Sequence, residues 1–347
     1  MRLLVTGAAG FIGSNFVRYW TQVHPEDQVV AYDLLTYAGN RANLEGLEAQ
    51  VAFVHGDIGD LSLAEQVLRE HRIDIIVNFA AESHNSLAVL DPGRFFRTNV
   101  MGTQALLEAA RRVGLARFHH VSTCEVYGDL TLDSDDAFTE QSPYRPRTPY
   151  NASKAGADHA VRAYYETFEL PISITNCSNN YGPYQFPEKV IPLFATRALD
   201  DQALPLYAST HHRREWLHVQ DHCRAIELVV LHAQAGETYN VGSGIEASVE
   251  QIADLVLDTL GKPASLKTIV PDRPGHDRRY LLDSSRIRQE LGWAPKVSFE
   301  EGVRDTVLWY AARRPWWEPL RDRAPVLETA WSSASASARP GPQITGH

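Results

Sequence analysis

Tyr150 and Lys154 stand four residues apart within Pro149–Phe168, a stretch with the spacing of a helix, so both fall on one helical face. A phenol ordinarily gives up its proton at about pH 10. A neighbouring ammonium stabilises the phenolate and brings that proton closer to neutrality. Such a tyrosine can remove a hydroxyl proton while a hydride leaves the same carbon, which is general-base catalysis of an alcohol oxidation. Tyr-x-x-x-Lys also occurs on helices that have no chemical role, so the pair gains meaning from its surroundings. Ser122-Thr123 closes a preceding strand, and a glycine cluster opens the chain.

That cluster, Gly7-Ala8-Ala9-Gly10-Phe11-Ile12-Gly13, lies between an expected strand at Arg2–Thr6 and an expected helix at Phe11–Gln22. Glycines there let the backbone turn sharply and approach a pyrophosphate. The helix N-terminus then offers free N–H groups and the positive end of its dipole. The spacing Gly-x-x-Gly-x-x-Gly differs from the Gly-x-Gly-x-x-Gly of most dehydrogenases, and glycines alone also serve ordinary turns. Asp33, 20 residues after Gly13 at the end of the second strand, favours the dinucleotide reading. An acid there accepts hydrogen bonds from both ribose hydroxyls and repels a 2′-phosphate, which points to NAD rather than NADP. Asp57-Ile58 after the third strand stands where an acid commonly holds the adenine amine. Ala80-Ala81 after the fourth is small enough to leave room for the pyrophosphate and nicotinamide ribose.

These residues need a scaffold. Strands are expected at Gln28–Tyr32, Val51–His55, Ile73–Phe79, Arg117–Ser122 and Ile172–Asn176, and helices at Leu61–Glu70 and Asn99–Val113. The alternation predicts an α/β chain with a Rossmann-type, doubly wound parallel sheet over residues 1–180. Beyond it prolines and glycines become frequent, and helices are expected at Val190–Asp200, Asp221–Gln234, Val249–Leu260 and Glu301–Arg313. Residues 181–320 read as a smaller substrate-binding region, with one strand and one helix returning to the main sheet. Residues 321–347, with Ser332-Ser333-Ala334-Ser335-Ala336-Ser337, are Ala/Ser/Pro-biased and predict a disordered tail.

With 347 residues, 44% of them hydrophobic and 22% charged, the chain is expected to bury a sizeable core. A net charge of −10 argues against a nucleic acid or an anionic membrane as partner. Cys124, Cys177 and Cys223 form no Cys-x-x-Cys pair, so neither a disulfide framework nor a zinc site is expected, and a reducing cytoplasm fits. Met1–Thr6 reads as a strand rather than a signal peptide, and no apolar run approaches the ~20 residues needed to span a bilayer. His84, His119, His120, His211, His212 and His218 do not fall at metal-ligand spacing, so no metal is expected.

From Arg2 to about Leu320 the chain resembles the extended short-chain dehydrogenase/reductase family, and within it the dTDP-glucose 4,6-dehydratases. The resemblance rests on the glycine turn, on Tyr150-Asn151-Ala152-Ser153-Lys154 and on segments peculiar to that group. These are Asp33-Leu34-Leu35-Thr36-Tyr37-Ala38-Gly39-Asn40, the loop Asn179–Lys189, Arg214-Glu215-Trp216 and Asp272–Tyr280. It implies an oxidation–elimination–reduction cycle with NAD kept bound. Tyr150 takes the O4 proton, Thr123 polarises O4, Lys154 supports the phenolate, and Glu125 removes the C5 proton. It adds Thr98 and Ser122 to the cofactor contacts. His84, Asn180, Glu188, Lys189, Arg214, Asn240, Arg273, His276 and Tyr280 are then expected around the nucleotide diphosphate sugar. In this family the helices matching Asn99–Val113 and Ser153–Phe168 pair across a two-fold axis, which implies a homodimer.

The sequence also departs from the group. The dehydratases carry Thr-Asp-Glu at the active-site strand end, where this chain has Thr123-Cys124-Glu125. Three readings of Cys124 stay open: a thiol acid, a mark of another reaction outcome, or a small buried residue with no chemical role. Asn85-Ser86-Leu87-Ala88 replaces the group's Val-Asp-Arg-Ser, and Ser209-Thr210-His211-His212-Arg213 replaces a glycine-rich turn. The resemblance implies conversion of dTDP-glucose to dTDP-4-keto-6-deoxyglucose. A 5,6-dehydratase, a C4-epimerase or decarboxylase, and a non-catalytic NAD-binding regulator are the alternatives.

Overall fold

The computed structural model describes residues 1–272, 277–321 and 323. Along the chain the strands are β1 (Arg2–Thr6), β2 (Gln28–Asp33), β3 (Val51–His55), β4 (Ile75–Asn78), β5 (Arg117–Thr123), β6 (Ile172–Cys177), β7 (Asn179–Tyr181), β8 (Leu204–Tyr207), β9 (Arg213–His218), β10 (Thr238–Val241), β11 (Glu246–Ser248) and β12 (Lys267–Val270). The helices are α1 (Phe11–Val23), α2 (Leu61–Glu70), α3 (Asn85–Leu90), α4 (Pro92–Phe95), α5 (Thr103–Val113), α6 (Pro149–Phe168), α7 (Val190–Leu199), α8 (Val219–His232), α9 (Val249–Leu260), α10 (Ser285–Leu291), α11 (Phe299–Ala311) and α12 (Arg314–Arg321).

The strands of the main sheet run β10-β6-β5-β4-β1-β2-β3, all parallel. Their apolar runs are nearly continuous, because helices cover both faces. On one face α2, α5 and α6 contribute Leu68, Leu106, Leu107 and Val161 to a core with Ile76, Phe118 and Ile172. On the other, α1 and α8 pack Phe16, Trp20, Ile226 and Val230 against Leu3, Val5 and Val77. The strand order reverses between β1 and β4, and ligands bind at the carboxyl ends of such strands. The α/β Rossmann class expected from the alternation is the observed one, and the returning strand is β10, which pairs with β6.

A second core lies between α7, α9, α11 and α12, built on Ile191, Phe194, Ile252, Val256, Val303, Val307 and Trp317. It is covered by the small sheet β11-β9-β7 and by the pair β12-β8. These strands of three to six residues were absent from the sequence reading because they are too short to show a period.

One helix differs from expectation. The helix expected at Asn99–Val113 begins earlier, as a wide π-type turn over Phe96–Gly102 that leads into α5. Asn99 lies in that turn. Its amide accepts from Glu82 N and donates to Glu82 O and Ser153 Oγ, tying the loop after β4 to α6. The disordered tail expected beyond residue 321 lies outside the described residues, apart from Arg323.

Candidate active site

The glycine turn is fixed by space. Gly7 has φ +63°, and a Cβ on Gly13 would lie 2.2 Å from Gly7 O, closer than any real contact. Gly10, the N-cap of α1, leaves that end without a side-chain cap, so the first N–H groups of the helix stay available. Asp33 ends β2 with one oxygen accepting from Ala9 N at 2.9 Å and the other from Leu35 N at 2.7 Å. Each carboxylate oxygen has a second lone pair, so the diol of a ribose still finds an acceptor. Burial raises the pKa of Asp33, and these two N–H groups oppose the rise.

These residues open onto a cavity of about 430 Å3 whose lining takes in Gly7, Gly10, Phe11, Ile12, Gly13 and Asp33. Asp57, Ile58, Ala80, Ala81, Thr98 and Ser122 continue the same wall. Thr123, Glu125, Tyr150 and Lys154 close its inner end, and Asn180, Glu188 and Lys189 line it from the second core's side. An acid over a ribose-sized space, glycines that forbid a Cβ and an uncapped helix end together fit a dinucleotide.

Thr148 caps α6 by accepting from Asn151 N, and Pro149 occupies its first turn, which sets the helix start from which Tyr150 and Lys154 project. Thr123 caps the short turn that follows β5, its hydroxyl accepting from Glu125 N at 3.3 Å. The Tyr150 phenol is not acidified in this structure. Burial and the nearby Glu125 carboxylate drive its pKa well above the usual value, and a hydrogen bond with Thr123 pulls the other way. The Lys154 ammonium donates to Val121 O at 2.9 Å.

The profile described as GDP-mannose 4,6 dehydratase matches residues 4–306. The chain belongs to that family. Among its relatives, the dTDP-glucose 4,6-dehydratase of Streptomyces niveus is 48% identical over 327 residues, spanning 92% of this chain and 96% of the relative. The dTDP-glucose 4,6-dehydratase 1 of Escherichia coli K12 is 44% identical over 349 residues, spanning 93% and 96%. A dTDP-glucose 4,6-dehydratase of Streptomyces venezuelae, solved with NAD bound, superposes with a TM-score of 0.89 at 50% identity and covers 92% of this chain and 100% of its own.

Several residues expected in a dehydratase site are placed elsewhere. Cys124 is fully buried in an apolar cluster with Val126, Tyr127, Ala155, Tyr280 and Leu282 and is not among the cavity-lining residues. Burial, with Glu125 beside it, pushes its thiol pKa well up. Arg214 spends its guanidinium on the carbonyls of Arg213, Asp277 and Arg278 and lies over the Tyr280 ring. Tyr280 OH is bonded to Asp277. The Asn240 amide is taken up by Tyr127 OH and Phe138 O. Buried polar groups must be paired, and here protein partners are the nearer ones. Ser122 turns its hydroxyl to Asp158 at 2.8 Å although the residue lines the cavity. Arg273 and His276 lie outside the described residues.

His84 caps α3 and faces Glu188 at 3.2 Å, and Glu188 accepts from Tyr37 OH at 3.0 Å. Lys189 donates to Ser83 O at 3.0 Å at the uncapped start of α7. This group joins the loop after β4 to the loop after β7 across the cavity. Asn85, one of the unusual residues after His84, lines the cavity and reaches Glu125 at 3.5 Å.

Proposed function

We propose that the chain converts dTDP-glucose to dTDP-4-keto-6-deoxyglucose by oxidation at C4, loss of water across C5–C6 and reduction at C6. NAD, when bound, would supply the hydride acceptor for C4 and the hydride donor for C6. Gly7, Gly10, Gly13 and Asp33 would hold it. Tyr150 removes the O4 proton, and Thr123, already bonded to the phenol, aligns O4 with it. The 4-ketone acidifies C5–H, and Glu125 takes that proton. The departing C6 hydroxyl needs a proton to leave as water. With Cys124 not among the lining residues, Glu125 passes the proton it has just taken to the departing hydroxyl, then regains one from solvent and delivers it to C5 as the hydride adds to C6. Lys189 and the free N–H groups at the start of α7 suit the diphosphate, with Asn180 and Glu188 beside them.

The observation that carries this reading is the meeting of Thr123, Glu125, Tyr150 and Lys154 at the inner end of a cavity whose outer end is the Gly7–Gly13 turn and Asp33. Incubation with dTDP-glucose tests it. Loss of one water with the alkaline chromophore of a 4-keto-6-deoxy sugar is the expected result, and no turnover would refute it. The same 4-ketone and the same loss of water also allow a second outcome, in which hydride returns to C4 and leaves a 5,6-alkene. Loss of water without the chromophore would establish that outcome.

The proposed assembly is a cytoplasmic homodimer. Val89, Leu90, Phe96, Met101 and Phe168 are exposed apolar side chains between α3 and the end of α6, which a two-fold partner would cover. Cys124, Cys177 and Cys223 are unpaired and buried, which suits a reducing compartment. Sedimentation tests the dimer. Among the described residues no helix is long and apolar enough to cross a membrane.

A further inference from the structure

Four residues beyond Lys154 on α6, and so on the same face, lies Asp158, with no exposed surface at all. Its Oδ2 accepts from Ser122 Oγ at 2.8 Å and from Tyr144 OH at 2.8 Å. Its Oδ1 makes no hydrogen bond and faces His120 Nε2 at 3.4 Å. The same ring nitrogen is 3.3 Å from Lys154 Nζ. On its other side His120 Nδ1 meets Asn78 Nδ2 at 3.1 Å, while Asn78 Oδ1 accepts from Thr6 Oγ1 at 2.6 Å. Thr6 Oγ1 in turn accepts from Ala80 N at 3.3 Å. The His120 ring is thus held from β4 through Nδ1, and its Nε2 edge stands between the Lys154 ammonium and the Asp158 carboxylate.

We propose that Asp158 is a positioning residue for the reaction: its carboxylate is the counter-charge that keeps the Lys154 ammonium charged and in place beside Tyr150, with the neutral His120 ring between them. This rests on the reading of Tyr150 and Lys154 as the redox pair. An ammonium buried as deeply as Lys154 loses its proton unless an opposite charge lies close by. Val121 O supplies a dipole, but no charge. His120 is itself kept neutral, burial and the Lys154 charge bringing its pKa down to about 4. Cys177 faces Lys154 from β6. Tyr127, Tyr144 and Arg162 face Asp158, and Arg162 donates to Tyr144 OH at 2.9 Å. Asp158 is thus the carboxylate whose charge supports the ammonium on this side of the site.

The chain has five lysines, Lys154, Lys189, Lys262, Lys267 and Lys296, so 13Cε-lysine NMR can follow each one, with Lys154→Gln giving the assignment. In the wild type Lys154 is expected to be charged at pH 7. In Asp158→Asn its titration midpoint is expected to fall by roughly one to three pH units. The alkaline limb of the kcat profile on dTDP-glucose should move down by the same amount, with KM unchanged. A wild-type Lys154 that is neutral at pH 7 overturns the proposal without any variant. So does an unshifted midpoint in a folded Asp158→Asn. A wild type inert on dTDP-glucose but with a charged Lys154 overturns the functional reading instead.

Discussion

Cys124→Ala should leave turnover of dTDP-glucose within about threefold of the wild type, whereas removing a true general acid costs on the order of 100- to 10,000-fold. The small effect follows from placement. Cys124 has no exposed surface, packs in a cluster with Val126, Tyr127, Ala155, Tyr280 and Leu282, and is not among the residues lining the cavity that holds Glu125 and Tyr150. Alanine removes one heavy atom from a packed cluster, comparable to deleting a methyl, at a cost of roughly 0.5–1.5 kcal/mol. In a chain of 347 residues that lowers the melting temperature by about 2 °C or less. The assay pairs initial rates of 4-keto product formation with calorimetric melting on one preparation. A hundredfold fall in kcat with melting unchanged would refute the reasoning, because the thiol would then have to reach the departing hydroxyl. A large fall in melting temperature would refute the packing estimate instead.

Gly13→Ala places a Cβ 2.2 Å from Gly7 O, so the first turn must open, and NAD affinity measured calorimetrically is expected to fall at least tenfold. Asp33→Ala strands the N–H groups of Ala9 and Leu35, each worth roughly 1–3 kcal/mol when left unpaired in a buried place, so melting without cofactor should fall along with NAD binding. Glu215 is buried, accepts from Gly244 N and Leu282 N, and has its pKa raised from 4.5 to about 7, chiefly by burial. The folded pKa lies above the unfolded one, so the protonated form's contribution is complete below pH 4.5 and lost as pH rises through about 7. The melting advantage of wild type over Glu215→Gln should therefore shrink across that window, and an advantage that grew with pH would contradict the assignment.

What was legible in the sequence was local. The turn from Gly7 to Gly13, Asp33 and the pair Tyr150–Lys154 each declare themselves within one strand–turn–helix or one helical turn, and the structure gathers them around one cavity. Residues whose role depends on distant partners were not. Asp158 reads as an ordinary polar helix position until β5 brings His120 against it, the ring held on its other side by Asn78 of β4. Arg214 has the composition of a phosphate ligand, but the carbonyls of Asp277 and Arg278, more than sixty residues on, claim its donors. Asn99 resembled the first residue of a regular helix, and only the contact with Glu82 and Ser153 explains its place in a wide turn.

The seventh strand of the main sheet has a consequence for how the chain is made. β6 gains its outer neighbour only when β10 emerges, after β7, β8, β9 and the intervening helices have been synthesised. Until then a buried-type strand, Ile172–Cys177, stands as an open edge on the ribosome. Such edges template pairing with other chains. The nascent chain is therefore expected to need chaperone protection over that interval. A fragment ending near residue 200 should aggregate rather than yield a free-standing nucleotide-binding unit.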